Sequence, residues 1–399
     1  MKDAKHTIKM ELITPVHIGN DNFLQNIFDF IIENDNIYLI DTQKVFEKIG
    51  YDEKQIQTLV AGVERGESLK HIFPGRITNL EDVSKRIIPI TCNISEKGAT
   101  TLKECLHDGR GIAYIPGSSI KGAIRSAIMG TLAQEQRGGK PKDCEKAVFG
   151  KDPYCDFMRF MQVSDAYFFE NCEIATKSTS LNIQETKQLL DNTLEQLTEC
   201  VEPGNETTFT IKISANRNRT AVQEVKWNKS YWKDNMPMPM KSLPAQVSDI
   251  ENLFKTINAH TLRLINEDID FWNNFYNTDW EKYMRDFSLQ DENNLKNYIN
   301  ALIGIRREIK NSIEGEECVL RIGYASGWKF MTGSWITDKK ELKEAEISVR
   351  EHKNKQTGKI TSIYTHMPFP KTRRIEEFID EDNNRGLGLL GFVKLKINK

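Results

Sequence analysis

The segment from His6 to Ile13 alternates polar and apolar side chains, with Ile8, Met10 and Leu12 on one side, and predicts a half-buried strand. Thr14-Pro-Val-His-Ile-Gly19 follows, where a proline and a glycine stop the ladder. Two short apolar runs, 28–32 and 37–40, flank Glu33-Asn-Asp-Asn36 and predict a hairpin. Asp41 is placed to cap a short helix carrying Val45, Phe46 and Ile49, with Gly50 past its end. Residues 52–110 show weak periodicity and read as an irregular or partly helical insertion. A course of strand, hairpin and helix is not the strand–helix alternation of a doubly wound sheet.

The clearest helical pattern is Ile120, Ile124, Ile128 and Leu132, which predicts a helix over 119–136. Tyr114-Ile115 ends an extended run before it, Pro116-Gly117 breaks the chain, and Ser118 or Ser119 can cap the helix. A polar loop is expected at 137–142, and a strand at 157–163 ending in Ser164-Asp165-Ala166. The Pro-Gly turn at 201–205 suggests a domain boundary, dividing the chain into 1–200 and 201–399. An alternating strand at 208–213 follows, then a mainly helical insertion at about 245–315. There Ser248-x-x-Glu251 has the form of a capping box, and Phe271, Trp272, Phe275 and Tyr276 read as packed helix side chains. The chain ends in a glycine loop, 385–391, that runs directly into an alternating strand.

Composition narrows the classes. At 399 residues, with 39% hydrophobic and 28% charged residues, two soluble domains are expected. A net charge of −2 gives no bulk attraction for nucleic acid, so any basic surface must be local. Two such stretches exist: 211–241 holds seven basic and two acidic residues, and 351–374 holds six basic and one acidic. Seven cysteines, spaced eleven residues or more, form no Cys-x-x-Cys motif and no secreted disulfide framework. With no signal peptide and no apolar run near ~18 residues, a cytoplasmic protein is expected.

Lys121 and Arg125 lie four apart on one helix face, close to the unpaired amides of the helix start, and together form a candidate phosphate seat. Gly122 between them costs roughly 1 kcal/mol against Ala, which makes sense where something approaches the backbone closely. An ordinary capped helix with a solvated basic face is the alternative. No phosphate loop, His-Glu-x-x-His or Gly-x-Ser-x-Gly motif is present. Gly386-Leu-Gly388 with Gly391 satisfies Gly-x-Gly-x-x-Gly, but it precedes a strand, so a dinucleotide role fails on context. His17 is either a loop hydrogen-bonder or a general acid or base, and Asp165 either caps a turn or serves a metal or catalytic site. What recurs is glycine loops flanked by Lys, Arg and a Trp or Tyr, as in Arg321-Ile-Gly-Tyr-Ala-Ser-Gly-Trp-Lys329. Such loops let amides approach phosphates while flat rings offer stacking surfaces.

Thr14-Pro-Val-His-Ile-Gly19, Ile115-Pro-Gly-Ser-Ser-Ile-Lys-Gly-Ala-Ile-Arg125, Val163-Ser-Asp-Ala166 and the terminal Gly386-Leu-Gly-x-x-Gly391 together resemble the RAMP superfamily of CRISPR proteins. Within it, the length and the 321–329 segment are most similar to the capping subunits of type III-A (Csm) effector complexes. The resemblance implies an α+β fold of two ferredoxin-like, RRM-like domains with a helical insertion. It implies a subunit that binds the 3′ part of the CRISPR RNA (crRNA), contacts the repeated backbone RAMP subunit and sibling subunits, and supports crRNA maturation. It also implies no nuclease site, no cofactor and no metal of its own, any trimming falling to a host nuclease. The expected RNA contacts are His17, Gly19, Ser118, Ser119, Lys121, Gly122, Arg125, Trp328, Lys329, Lys371, Arg373, Arg374, Arg385, Gly386 and Gly388. Two other classes remain open on the residues: a metal-independent RNA endonuclease using His17 and Lys121, and a protein-interaction subunit with solvated basic loops.

Overall fold

The computed structural model describes residues 4–94, 100–133, 141–169, 172–183, 188–190, 195–227, 240–279, 288–331, 350–363, 370–380 and 384–398. Most of the polar loop expected at 137–142, part of the basic stretch 211–241 and the end of the acidic run 376–382 lie outside those residues.

The fold is α+β, built on two larger sheets. In the first, the order is Glu317–Arg321, Phe392–Ile397, Ala4–Leu12, Glu206–Ile213, Met161–Val163, all antiparallel. The alternation of the first strand does what its pattern predicts. Ile8, Met10 and Leu12 are buried against Ile120, Ile124 and Ile128 of helix Gly117–Leu132 and Leu253, Phe254 and Ile257 of helix Ile250–Asn274. Setting the last strand aside, the chain visits this layer as strand, helix, strand, strand, helix, strand between residues 4 and 321. The final strand slides in between the first and the last of these.

The second sheet has six strands in the order Arg385–Gly388, Thr372–Ile379, Glu173–Asn182, Gln196–Val201, Thr101–Cys105, Gly19–Gln25. Residue 200, the expected boundary, lies inside strand Gln196–Val201, and each of the two sheets takes strands from both sides of it. The hairpin of Phe30–Glu33 and Asn36–Ile40 forms as expected, and Asp41 caps helix Thr42–Ile49, accepting from the amides of Gln43 and Lys44. Residues 52–110 are partly helical, at Glu53–Glu64 and Leu69–Ile72, but also supply Ser84–Pro89 to the hairpin sheet and Thr101–Cys105 to the six-stranded one. Short strands pairing with distant partners carry little local signal, which is why periodicity misses them.

Three local expectations are corrected. The 157–163 run is a strand only at Met161–Val163, because Asp156 accepts from the Met158 amide and turns Phe157–Phe160 into a 3-10 helix. The cap before Ile250–Asn274 is Asp249, one residue beyond Ser248, accepting from Asn252 N–H. The 245–315 segment is helical over Ile250–Asn274 and Leu289–Asn311, but it is no peripheral addition: Leu253, Phe254 and Ile257 complete the first core. Trp272 and Phe275 are buried in a second core between these helices and the six-stranded sheet. All seven cysteines are buried thiols outside any disulfide. Among the described residues, no helix is long and apolar enough to cross a membrane.

Candidate nucleic-acid interface

Gly117 starts its helix with Pro116, not a serine, at the cap, and neither Ser118 nor Ser119 caps with its side chain. The helix start is satisfied from elsewhere: Asp165 Oδ1 accepts from Gly117 N–H at 2.7 Å. A Cβ on Gly117 would lie 2.3 Å from Val163 O and 2.8 Å from Ser164 C. The Pro-Gly-Ser-Ser and Val-Ser-Asp-Ala motifs are therefore two halves of one joint, glycine for the close approach and Asp165 for the amide. That carboxylate already occupies the position an external phosphate would take. Arg125 is also engaged, by Asp156 at 2.7 Å and Glu145 at 3.1 Å, and its guanidinium lies 3.6 Å from the Phe149 ring centroid. Lys121 is half-buried and makes no hydrogen bond or ion pair among the described residues, and burial pushes its pKa down against the pull of Asp156. A Cβ on Gly122 would meet nothing within 4 Å. Ser126, one turn on, donates to Met331 O at 3.1 Å, so this face borders the short helix Gly327–Met331.

The other glycine motifs meet each other. A Cβ on Gly323 would sit 2.4 Å from His17 O, and one on Gly391 2.3 Å from Ile322 O. Tyr324 N–H donates to His17 O at 2.9 Å, Ile322 N–H to Gly391 O at 2.7 Å, and Gly391 N–H to Pro15 O at 2.9 Å. Three loops, 14–19, 322–327 and 389–391, are thus locked backbone to backbone. Gly323 and Gly391 both hold positive φ, at 73° and 86°, which suits glycine.

Tyr324 stands at the centre of this knot. The Lys103 ammonium is 5.3 Å and the Arg374 guanidinium 5.6 Å from its ring centroid, and the His17 ring meets it edge-on at 5.5 Å. Lys103 also lies 4.8 Å from the centroid of Phe23, an aromatic left 48% exposed. Two cations beside two rings across the face of the six-stranded sheet suit a chain of bases and phosphates. Neither Lys103 nor Phe23 stands out in the sequence; Tyr324 does, through the glycines around it.

His17 itself is buried. Its Nδ1–H donates to Glu199 O at 2.6 Å, and burial lowers its pKa to about 4 despite that bond, so the ring is neutral near pH 7. Among the described residues its Nε2 has no hydrogen-bond partner; it faces Gly19, where a Cβ would come within 2.7 Å. Beneath it, His107, Glu173 and Glu199 bring ligand atoms within 4.8 Å of one another. The Arg86 guanidinium bonds His107 and Glu199 there, supplying the positive charge from inside the chain.

Trp328, Lys329, Arg373 and Arg374 line one cavity of about 410 Å³, with Arg321 and residues of helix Ile250–Asn274. Lys329 pairs with Glu267 at 3.2 Å, and Arg373 with Asp268 at 2.5 Å. Lys371 is half-buried next to this group, its carbonyl accepting from Ile183 N–H. Arg385 pairs with Glu377, which also binds Lys177. The space beside Gly386 is filled by the Phe378 ring and that beside Gly388 by Glu376 Oε2. The structure therefore gathers His17, Gly19, Arg374 and the 328–329 pair around the loop knot, with Arg373 beside them. Arg125, Arg385, Gly386 and Gly388 are taken up by protein partners.

The family model described as the RAMP superfamily matches residues 9–328. The chain belongs to the RAMP superfamily. Within it, the chain is similar to "CRISPR system Cms protein Csm5" of Streptococcus thermophilus, 28% identical over 197 residues, covering 43% of this chain and 54% of that protein. The Csm5 of Methanocaldococcus jannaschii is 28% identical over 184 residues, covering 41% and 43% respectively. The matched part thus spans about half the length of these curated relatives. Two solved structures share the fold. One is a chain of a Csm–crRNA–target RNA ternary complex of a type III-A CRISPR-Cas system, with a TM-score of 0.62, 17% identity and 98% of this chain and all of that chain covered. The other is the crystal structure of T. onnurineus Csm5, with a TM-score of 0.55, 16% identity and 96% and 99% covered.

Proposed function

We propose that this RAMP protein is a crRNA-binding capping subunit of a type III-A Csm effector complex, working in the cytoplasm. It holds the 3′ part of the crRNA, abuts the repeated backbone subunit, and supports crRNA maturation by a separate host nuclease without a nuclease site of its own. The observation that carries this reading is the knot of three glycine loops that presents Tyr324 between Lys103 and Arg374, beside exposed Phe23. The similarity to Csm5 proteins supports the choice of complex. Burial of His17, with its Nδ1 spent on Glu199 O, supports a structural over an acid–base role for that side chain. In this reading the strand–helix–strand–strand–helix–strand course over 4–321 is one ferredoxin-like unit. The six-stranded sheet forms the second, the two interleaving along the chain.

The test is fluorescence anisotropy with single-stranded RNA. Affinity should fall steeply as salt rises, because each phosphate neutralised releases a counterion. Lys103→Ala with Arg374→Ala should weaken binding at least tenfold while leaving the unfolding midpoint nearly unchanged. Binding indifferent to salt and to both substitutions would remove the reading.

A further inference from the structure

Arg321 ends strand Glu317–Arg321 and is only 7% exposed. Its guanidinium lies 5.0 Å from the Phe330 ring centroid and 4.8 Å from that of Phe392. Nε–H donates to Leu390 O at 3.2 Å, and among the described residues neither Nη group has a hydrogen-bond or ion-pair partner. A buried cation left so is costly unless something answers it. The neighbouring carboxylates do so only from a distance: Asp268 attracts the guanidinium without bonding it, its hydrogen bonds going to Arg373 and the Tyr298 hydroxyl at 2.6 Å, and Glu267 pairs with Arg263 and Lys329. Asp270 lies exposed at the rim. What Arg321 does face is the cavity of about 410 Å³, large enough for a small ligand.

We infer that this cavity is a seat for one phosphate-bearing nucleotide, with the phosphate on the Nη groups of Arg321. The inference rests on the RNA-binding reading and adds the place where one nucleotide leaves the surface. The two Phe rings hold the guanidinium plane fixed, so its paired N–H groups present a ready fork to an oxyanion. Trp328 on the same wall offers a flat ring for the base, and Arg374 continues the positive surface toward Tyr324. The phosphate belongs either to a chain of RNA or to a free mononucleotide.

Isothermal titration of the full-length protein with 5′-AMP, 3′-AMP, the dinucleotide ApA, adenosine and inorganic phosphate tests this. Saturable binding of at least one phosphate-bearing nucleotide, tenfold or more tighter than adenosine, is expected, and Arg321→Lys should weaken it at least tenfold. Preference for ApA over both monophosphates identifies an RNA chain as the source, and the reverse a free mononucleotide. If Arg321→Lys does not fold, Trp328→Ala takes its place and should weaken nucleotide binding more than inorganic phosphate binding. The proposal is overturned if no nucleotide saturates the protein, if adenosine binds as tightly, or if the substitution tested leaves affinity unchanged. Failure here with salt-dependent RNA binding intact would remove the pocket alone. Nucleotide binding without RNA binding would remove the broader reading.

Discussion

Glu376 is the residue whose chemistry departs most from its place in the sequence. It opens the acidic run 376–382, lies on strand Thr372–Ile379 and is 6% exposed. Burial raises its pKa from 4.5 to about 7, against a hydrogen bond from the Thr176 hydroxyl at 2.9 Å. A carboxyl whose folded pKa exceeds its unfolded one favours the fold while protonated. Its contribution is complete below pH 4.5 and is lost as pH rises through about 7. Glu376→Gln should therefore match the wild type near pH ~4 and exceed it near pH ~8, by up to about 3 kcal/mol. Urea unfolding at both pH values decides it, and a gap that does not change with pH would show the carboxyl is not the buried titrating group. The run of Glu and Asp could not reveal this, because the burial comes from strands Glu173–Asn182 and Arg385–Gly388 on either side, which bring the Thr176 hydroxyl and Gly388 against the carboxyl.

At the level of elements, the legible parts are those whose signal is local. The first strand, the hairpin, the Asp41-capped helix and the Ile120–Ile124–Ile128 stripe follow from period and capping chemistry. What sequence could not show is how the motifs meet. Ser118 and Ser119 look like caps, but the tertiary structure brings Asp165 to the helix start instead. Gly117→Ala should cost about 1–3 kcal/mol as the added carbon forces the helix away from the 163–165 strand end, whereas Gly122→Ala, with open space beside it, should stabilise slightly. Thermal unfolding of the two variants compares them directly, and equal midpoints would refute the joint. The three-loop knot is likewise half-legible: each glycine is visible, but only the packing of Gly323 on His17 O and Gly391 on Ile322 O shows why it is there.

For the whole molecule, the last strand fills the slot between the first strand and Glu317–Arg321, so both chain ends contribute to one sheet. The helices Ile250–Asn274 and Leu289–Asn311 belong to the same packed body, not to a detachable cap. Backbone subunits joined head to tail extend until something stops them, and in the proposed reading this protein is the stop. Native mass spectrometry of the co-expressed assembly should then find one copy per intact particle, and two or more would refute the cap position while leaving RNA binding untouched. The central claim is that RNA runs over the loop knot, and ultraviolet cross-linking of bound single-stranded RNA followed by peptide mass spectrometry tests it most directly. Cross-links are predicted in the peptides carrying Phe23, Tyr324 and Trp328; cross-links confined to other peptides, such as those of the basic stretch 211–241, would contradict it.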